Sequence, residues 1–201
     1  MKAKIPIGLI YLRLFIAPVI IFLSVIHINH YAAIAIVLLT VGLVSDILDG
    51  IIARRLQIST QRLRRLDSTV DQVFFIAVAI ATYIQCPAFF SANAWLLGLL
   101  LGLEGLTYVI SFVKFRKEVA THSIGAKIWT LLLFATLVQI MLQCQSGILF
   151  PVCFWVGIIT RLEIIAMILI LKKWTNDVPT FYHAILLRQD KEIKRNKMFN
   201  G

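Results

Sequence analysis

Long apolar stretches separated by short polar ones run along most of the chain. They predict helices over residues 6–26, 31–53, 69–86, 94–115, 126–142 and 151–171. Each approaches the roughly 20 apolar residues that an α-helix needs to cross the hydrocarbon of a bilayer. The opening Met-Lys-Ala-Lys before an apolar run has the outline of a signal peptide. No small-residue cleavage site follows in residues 25–31, however, and more spans come after, so the first run reads as a retained helix.

Composition agrees with this pattern. Of 201 residues, 60% are apolar and 15% are charged, against roughly 25% charged in an average soluble domain. Six spans would take up nearly all of that apolar content. A soluble enzyme, a disordered chain and a disulfide-rich secreted scaffold are thereby disfavoured. The expected architecture is an all-α integral membrane protein with a six-helix transmembrane catalytic domain over residues 1–173. A basic tail over residues 174–201 would follow on the cytoplasmic membrane surface.

The net charge of +10 admits nucleic-acid binding or the positive-inside bias of a membrane protein. Position along the chain decides between them. Lys2 and Lys4 precede the first span, and Arg54, Arg55, Arg62, Arg64 and Arg65 separate the second from the third. Lys114, Arg116, Lys117 and Lys127 lie around the next alternate loop, and seven more basic residues follow the sixth span. The intervening loops (residues 27–30, 87–93 and 143–150) carry no Lys, Arg, Asp or Glu. Alternation of this kind places both termini in the cytoplasm and removes the nucleic-acid reading.

Several ionisable residues fall inside the predicted spans: Arg13, Asp46, Asp49, Asp71, Glu104, Arg161 and Glu163, with Asp67 at a span's entrance. Such groups are costly in hydrocarbon and normally face a cavity or one another. Asp46 and Asp49 are three residues apart, and Asp67 and Asp71 four, so each pair shares a helix face. One pair closes the second span and the other opens the third, which lets the four meet at one depth. Four converging carboxylates do not all stay ionised unaided. Hard divalent cations such as Mg²⁺, Mn²⁺ or Ca²⁺ would resolve that, and two of them sharing bridging carboxylates commonly clamp a diphosphate. The plainer alternative is a set of salt bridges between helix-end aspartates and the arginines of the loop.

At these residues the sequence resembles the CDP-alcohol phosphotransferase (CDP-alcohol phosphatidyltransferase) family, whose signature is D-x2-D-G-x2-A-R-x8-G-x3-D-x3-D. Asp46, Asp49, Gly50, Ala53, Arg54, Asp67 and Asp71 fall on it with every spacing kept, and Leu63 stands where the pattern has glycine. Pro6 and Arg13 match a pattern common in the family's first helix, with Ile7 and Ile10 in place of its usual Asn and Thr. The resemblance implies six transmembrane helices and transfer of the phosphatidyl group of CDP-diacylglycerol to a small alcohol with release of CMP. It further implies two ions, Mg²⁺ or Mn²⁺, one on Asp46, Asp49 and Asp67 and one on Asp46, Asp67 and Asp71. Asp71 would also be the catalytic base. Gly50, Ala53, Arg54 and Thr60 would border the CDP moiety, and the enzyme would be a homodimer.

The acceptor is not fixed by the motif. The short chain and the Ser45–Arg55 run look most like phosphatidylglycerophosphate synthases, which points to glycerol 3-phosphate, with inositol phosphate as the other phosphorylated candidate. Lys127, Arg161 and Arg116 are the cations available for a phosphorylated acceptor, although Arg161 has Glu104 and Glu163 as alternative partners. The expected setting is a bacterial inner (cell) membrane with the active site facing the cytoplasm. Other readings are an inactive CDP-lipid or divalent-cation binder and an ion-coupled transporter. Cys86, Cys144 and Cys153 are expected to be free thiols, with a Cys144–Cys153 hairpin bridge as the alternative. Gly98 and Gly102 suit helix packing.

Overall fold

The computed structural model describes residues 4–56, 58, 60–117, 119, 123–175, 178–191 and 193. Lys2, Lys194, Arg195 and Lys197 lie outside the described residues, and of Lys4, Arg54 and Arg62 only the backbone is described. Among the described residues there are eight helices and no strand. They are α1 (Lys4–Val25), α2 (Tyr31–Arg55), α3 (Gln61–Gln85), α4 (Pro87–Ala92), α5 (Ala94–Phe115), α6 (Ile124–Gln143), α7 (Leu149–Ile170) and α8 (Phe181–Arg188). Six of these, all but α4 and α8, are long and apolar enough to cross a membrane. The protein is therefore an integral membrane protein of all-α class. Two compact units divide the chain, Met1–Ser91 with Leu137–Gln145, and Ala92–Thr136 with Ser146–Gly201.

In the first unit α1 packs against both α2 and α3. The buried face of α1 carries Ile10, Arg13, Ala17, Ile20 and Ser24, spaced three and four apart, as a single helix face requires. The facing stripes are Ala35, Leu39, Leu43 and Asp49 on α2 and Val70, Phe74, Ala77, Val78 and Ala81 on α3. Opposite stripes present Phe15, Phe22, Val37 and Ile76 outward, which is the expected disposition where lipid rather than water is the solvent. A Cβ on Gly42 would fall within the Phe74 ring, so this glycine is what lets α3 approach α2. At the far end of the unit the Ser24 hydroxyl donates to the Ala81 carbonyl at 2.8 Å, and the Gln85 amide donates to the Ser24 carbonyl at 2.8 Å. These bonds tie α1 to α3 and satisfy polar groups that lipid cannot.

Helix α3 begins at Gln61, eight residues before the expected start. Its first two turns are polar and basic, so apolar periodicity does not mark them. A cap does: Thr60 has extended backbone, and its hydroxyl accepts from the Leu63 N–H at 3.2 Å. The thiol expectation also fails. Cys86 and Cys144 form a disulfide that ties the end of α3 to the segment after α6, leaving Cys153 free and buried. Both half-cystines follow spans at the ends bordered by uncharged loops. Under denaturing, non-reducing conditions a maleimide-PEG reagent should add one label per chain, and after reduction three; three labels before reduction would rule out the bridge.

The second unit packs α5 against α7, and α7 against α8. Ile164, Met167, Ile168, Leu171, Val178 and Ala184 form its core cluster. Part of the tail is thus folded against α7: Val178 and Ala184 are fully buried, and the Phe181 N–H donates to a Glu163 carboxylate oxygen at 3.2 Å. The Lys114 ammonium donates to the Ile168 and Leu169 carbonyls at the end of α7, where a cation complements the helix dipole. A Cβ on Gly98 or Gly102 would meet nothing among the described residues, so the helix packing expected at these glycines is not made among them.

Candidate active site

The four aspartates do converge. Asp46 and Asp49 lie one turn apart on α2, Asp67 and Asp71 one turn apart on α3, and Arg13 of α1 stands at their common focus. Its Nη1 contacts Asp46 at 3.0 Å and also Asp71, and its Nη2 contacts Asp67 at 2.7 Å and also Asp49. Each of the two Nη nitrogens therefore joins one carboxylate of α2 to one of α3. The Gly42–Phe74 contact lies one turn deeper on both helices, four residues before Asp46 and three after Asp71. It sets the helix separation at which the carboxylates can share a partner.

Exposure divides the site into a sealed floor and an open mouth. Arg13 is 0% exposed and Asp49 3%, whereas Asp46, Asp67 and Asp71 are 31%, 28% and 28% exposed. Three carboxylates thus remain reachable from outside while their charges are held from beneath. Ligand oxygens of Asp46, Asp49 and Asp67 all lie within 4.8 Å of one another. An all-oxygen anionic donor set of this kind fits Mg²⁺ or Mn²⁺ and offers nothing to a thiol-seeking metal.

The remaining sequence candidates take these places. Gly50 is half-buried on α2 one residue past Asp49, and Ala53 is buried one turn further on. Arg54 continues that helix, but its side chain lies outside what the structure describes. Thr60 is exposed and caps α3. Leu63, in the position the motif gives to glycine, is the third residue of α3 with an ordinary helical backbone.

In the second unit Arg161 forms an ion pair with Glu104, and its guanidinium carbon lies 4.6 Å from the centre of the Trp129 ring. The Trp129 N–H in turn donates to the Cys153 carbonyl at 3.1 Å. Gly157 gives the indole room, since a Cβ there would collide with it. Arg116 is exposed in a left-handed conformation at the end of α5, and Lys127 lies in the first turn of α6.

Sequence reasoning placed Arg13 in a span without giving it a partner. Its signals were a cation on an apolar stripe and a match to the family's first-helix pattern, neither of which names partners 33 to 58 residues away.

Comparison with known proteins adds one finding. The family described as CDP-alcohol phosphatidyltransferase matches residues 3–170, a stretch that holds all four aspartates and Arg13. No curated protein and no solved structure matches the chain.

Proposed function

The chain belongs to the CDP-alcohol phosphatidyltransferase family, and from that premise we propose that it transfers the phosphatidyl group of CDP-diacylglycerol to a phosphorylated small alcohol, with glycerol 3-phosphate the first acceptor to test. The observation that carries this reading is the meeting of four carboxylates from two helices at one focus, three of them open to a ligand. Helix-end salt bridges with the loop arginines would not need that focus, because the shared cation comes from α1.

Asp46, Asp49 and Asp67 would hold one Mg²⁺ or Mn²⁺ ion, and Asp46, Asp67 and Asp71 a second. Bound there, the ions would neutralise the diphosphate and make CMP a better leaving group. The chain's own residues do the rest. Asp71, open to the mouth, takes the proton from the acceptor hydroxyl. The acceptor oxygen bonds to the phosphatidyl phosphorus as the bond from that phosphorus to the CMP oxygen breaks. Gly50 and Ala53 leave space for the nucleotide beside α2, and Arg54 and Thr60 border it with charge and a hydroxyl.

Charge alternation supports a site at the cytoplasmic ends of α2 and α3, and a bacterial inner membrane is the setting proposed for it. A soluble nucleotide could reach it there while the lipid tails stay in the bilayer. Purified protein in detergent, given CDP-diacylglycerol, Mn²⁺ or Mg²⁺ and single alcohols, should release CMP with glycerol 3-phosphate. Release with another acceptor alone would correct the acceptor. Nucleotide-lipid binding without release on any acceptor would instead identify a binder, and metal-dependent ion flux in liposomes a transporter.

A further inference from the structure

We propose that Arg13 is a tethered internal cation that occupies the focus of the carboxylates when no divalent ion is bound, and that ions load by displacing its guanidinium. This deepens the transferase reading and rests on it for the identity of the ions.

The geometry resembles that of a cation pair more than that of a single salt bridge. A lone Arg–Asp pair would satisfy one carboxylate and leave three in mutual repulsion. Here Nη1 bridges Asp46 and Asp71, and Nη2 bridges Asp49 and Asp67. Each nitrogen spans the gap between α2 and α3, and the two are held side by side on one rigid plane. A guanidinium has enough N–H donors in a fixed fork to do this; an ammonium does not.

Charge makes the arrangement exchangeable. Four carboxylates share one guanidinium at a site whose floor is sealed. Two divalent ions would neutralise the carboxylates and leave the charge of Arg13 in excess. The guanidinium and the ions therefore compete for the same oxygens, and they repel each other at close range. The long side chain of Arg13 has the reach to withdraw while α1 stays packed. In the ion-free state Arg13 keeps the helices assembled, so the site need not fall apart between turnovers. In the loaded state its charge is available to the phosphates of a bound ligand.

The test is Mn²⁺ binding, read from the signal of free Mn²⁺ by electron paramagnetic resonance, alongside thermal unfolding in chelator. Arg13→Gln should bind Mn²⁺ about tenfold tighter than the unsubstituted protein, because a competing charge is gone. It should also melt earlier in chelator and gain more from saturating Mn²⁺. A residue that only held the helices together would lower stability without raising ion affinity. Arg13→Lys keeps one charge but gives up one of the two bridges, and its Mn²⁺ affinity should fall between the two. It carries the test if Arg13→Gln does not fold.

Equal or weaker Mn²⁺ binding in the variants, with binding intact in the unsubstituted protein, overturns the exchange and leaves the transferase reading standing. No Mn²⁺ binding in any form overturns both. The predicted rise in affinity without CMP release on any acceptor upholds the exchange and sinks the transferase.

Discussion

Asp71→Asn is expected to cut CMP release by about 10³-fold, within the range that general-base catalysis contributes, with no recovery at high Mn²⁺. The substitution keeps the shape of the side chain and removes its capacity to take a proton. The role proposed for Asp71 suits a side chain that is 28% exposed, because a proton taken there could pass on to water. Asp49, 3% exposed, has no such outlet and is assigned to ion binding alone. The control follows from this contrast. Asp49→Asn should lose activity mainly through weakened ion affinity, and raising Mn²⁺ should restore part of it. CMP release is measured against Mn²⁺ concentration for both variants. An Asp71→Asn protein that keeps more than about a tenth of the activity, or recovers with the ion as Asp49→Asn does, would show that the base lies elsewhere.

What the sequence disclosed and what it hid follow from the range of the interactions involved. Six spans were legible because a bilayer demands long apolar runs, and the structure returns them at nearly the expected bounds. The meeting of Asp46 and Asp49 with Asp67 and Asp71 was legible because it needs only helical spacing and one short connection. The early start of α3 escaped because Gln61–Asp67 is polar; the cap at Thr60, with its hydroxyl turned to the Leu63 N–H, is a weaker local sign. Two features depended on partners far along the chain. Cys86 and Cys144 are separated by 58 positions, so spacing gave no reason to join them. Arg13 reaches carboxylates on two other helices, and a helical wheel of α1 shows only a cation on an apolar face. Glu104 and Arg161 were intermediate: membrane burial demanded a partner for each, and of the two carboxylates open to Arg161 the structure selects Glu104.

The second large effect is expected away from the chemistry, at Gly42. This glycine admits the Phe74 ring between α2 and α3, and Phe74 is itself 1% exposed. Gly42→Leu puts a branched side chain into filled space, an overpacking that costs about 1–3 kcal/mol where the neighbours can shift and more where they cannot. The shift open to them is separation of α2 from α3 one turn below the carboxylates. Asp46 and Asp49 would then draw away from Asp67 and Asp71, and the ions proposed to share oxygens within 4.8 Å of one another would lose their site. The variant should therefore show little or no thermal stabilisation by Mn²⁺ and little CMP release, although no ligand has been altered. A compensating change checks the cause. Phe74→Ala in the Gly42→Leu background returns the room, and the double variant should regain Mn²⁺-dependent stabilisation beyond what the two single effects predict together. Simple additivity in that cycle would mean that the ring and the glycine act independently. Helix separation at this depth would then not be what positions the carboxylates.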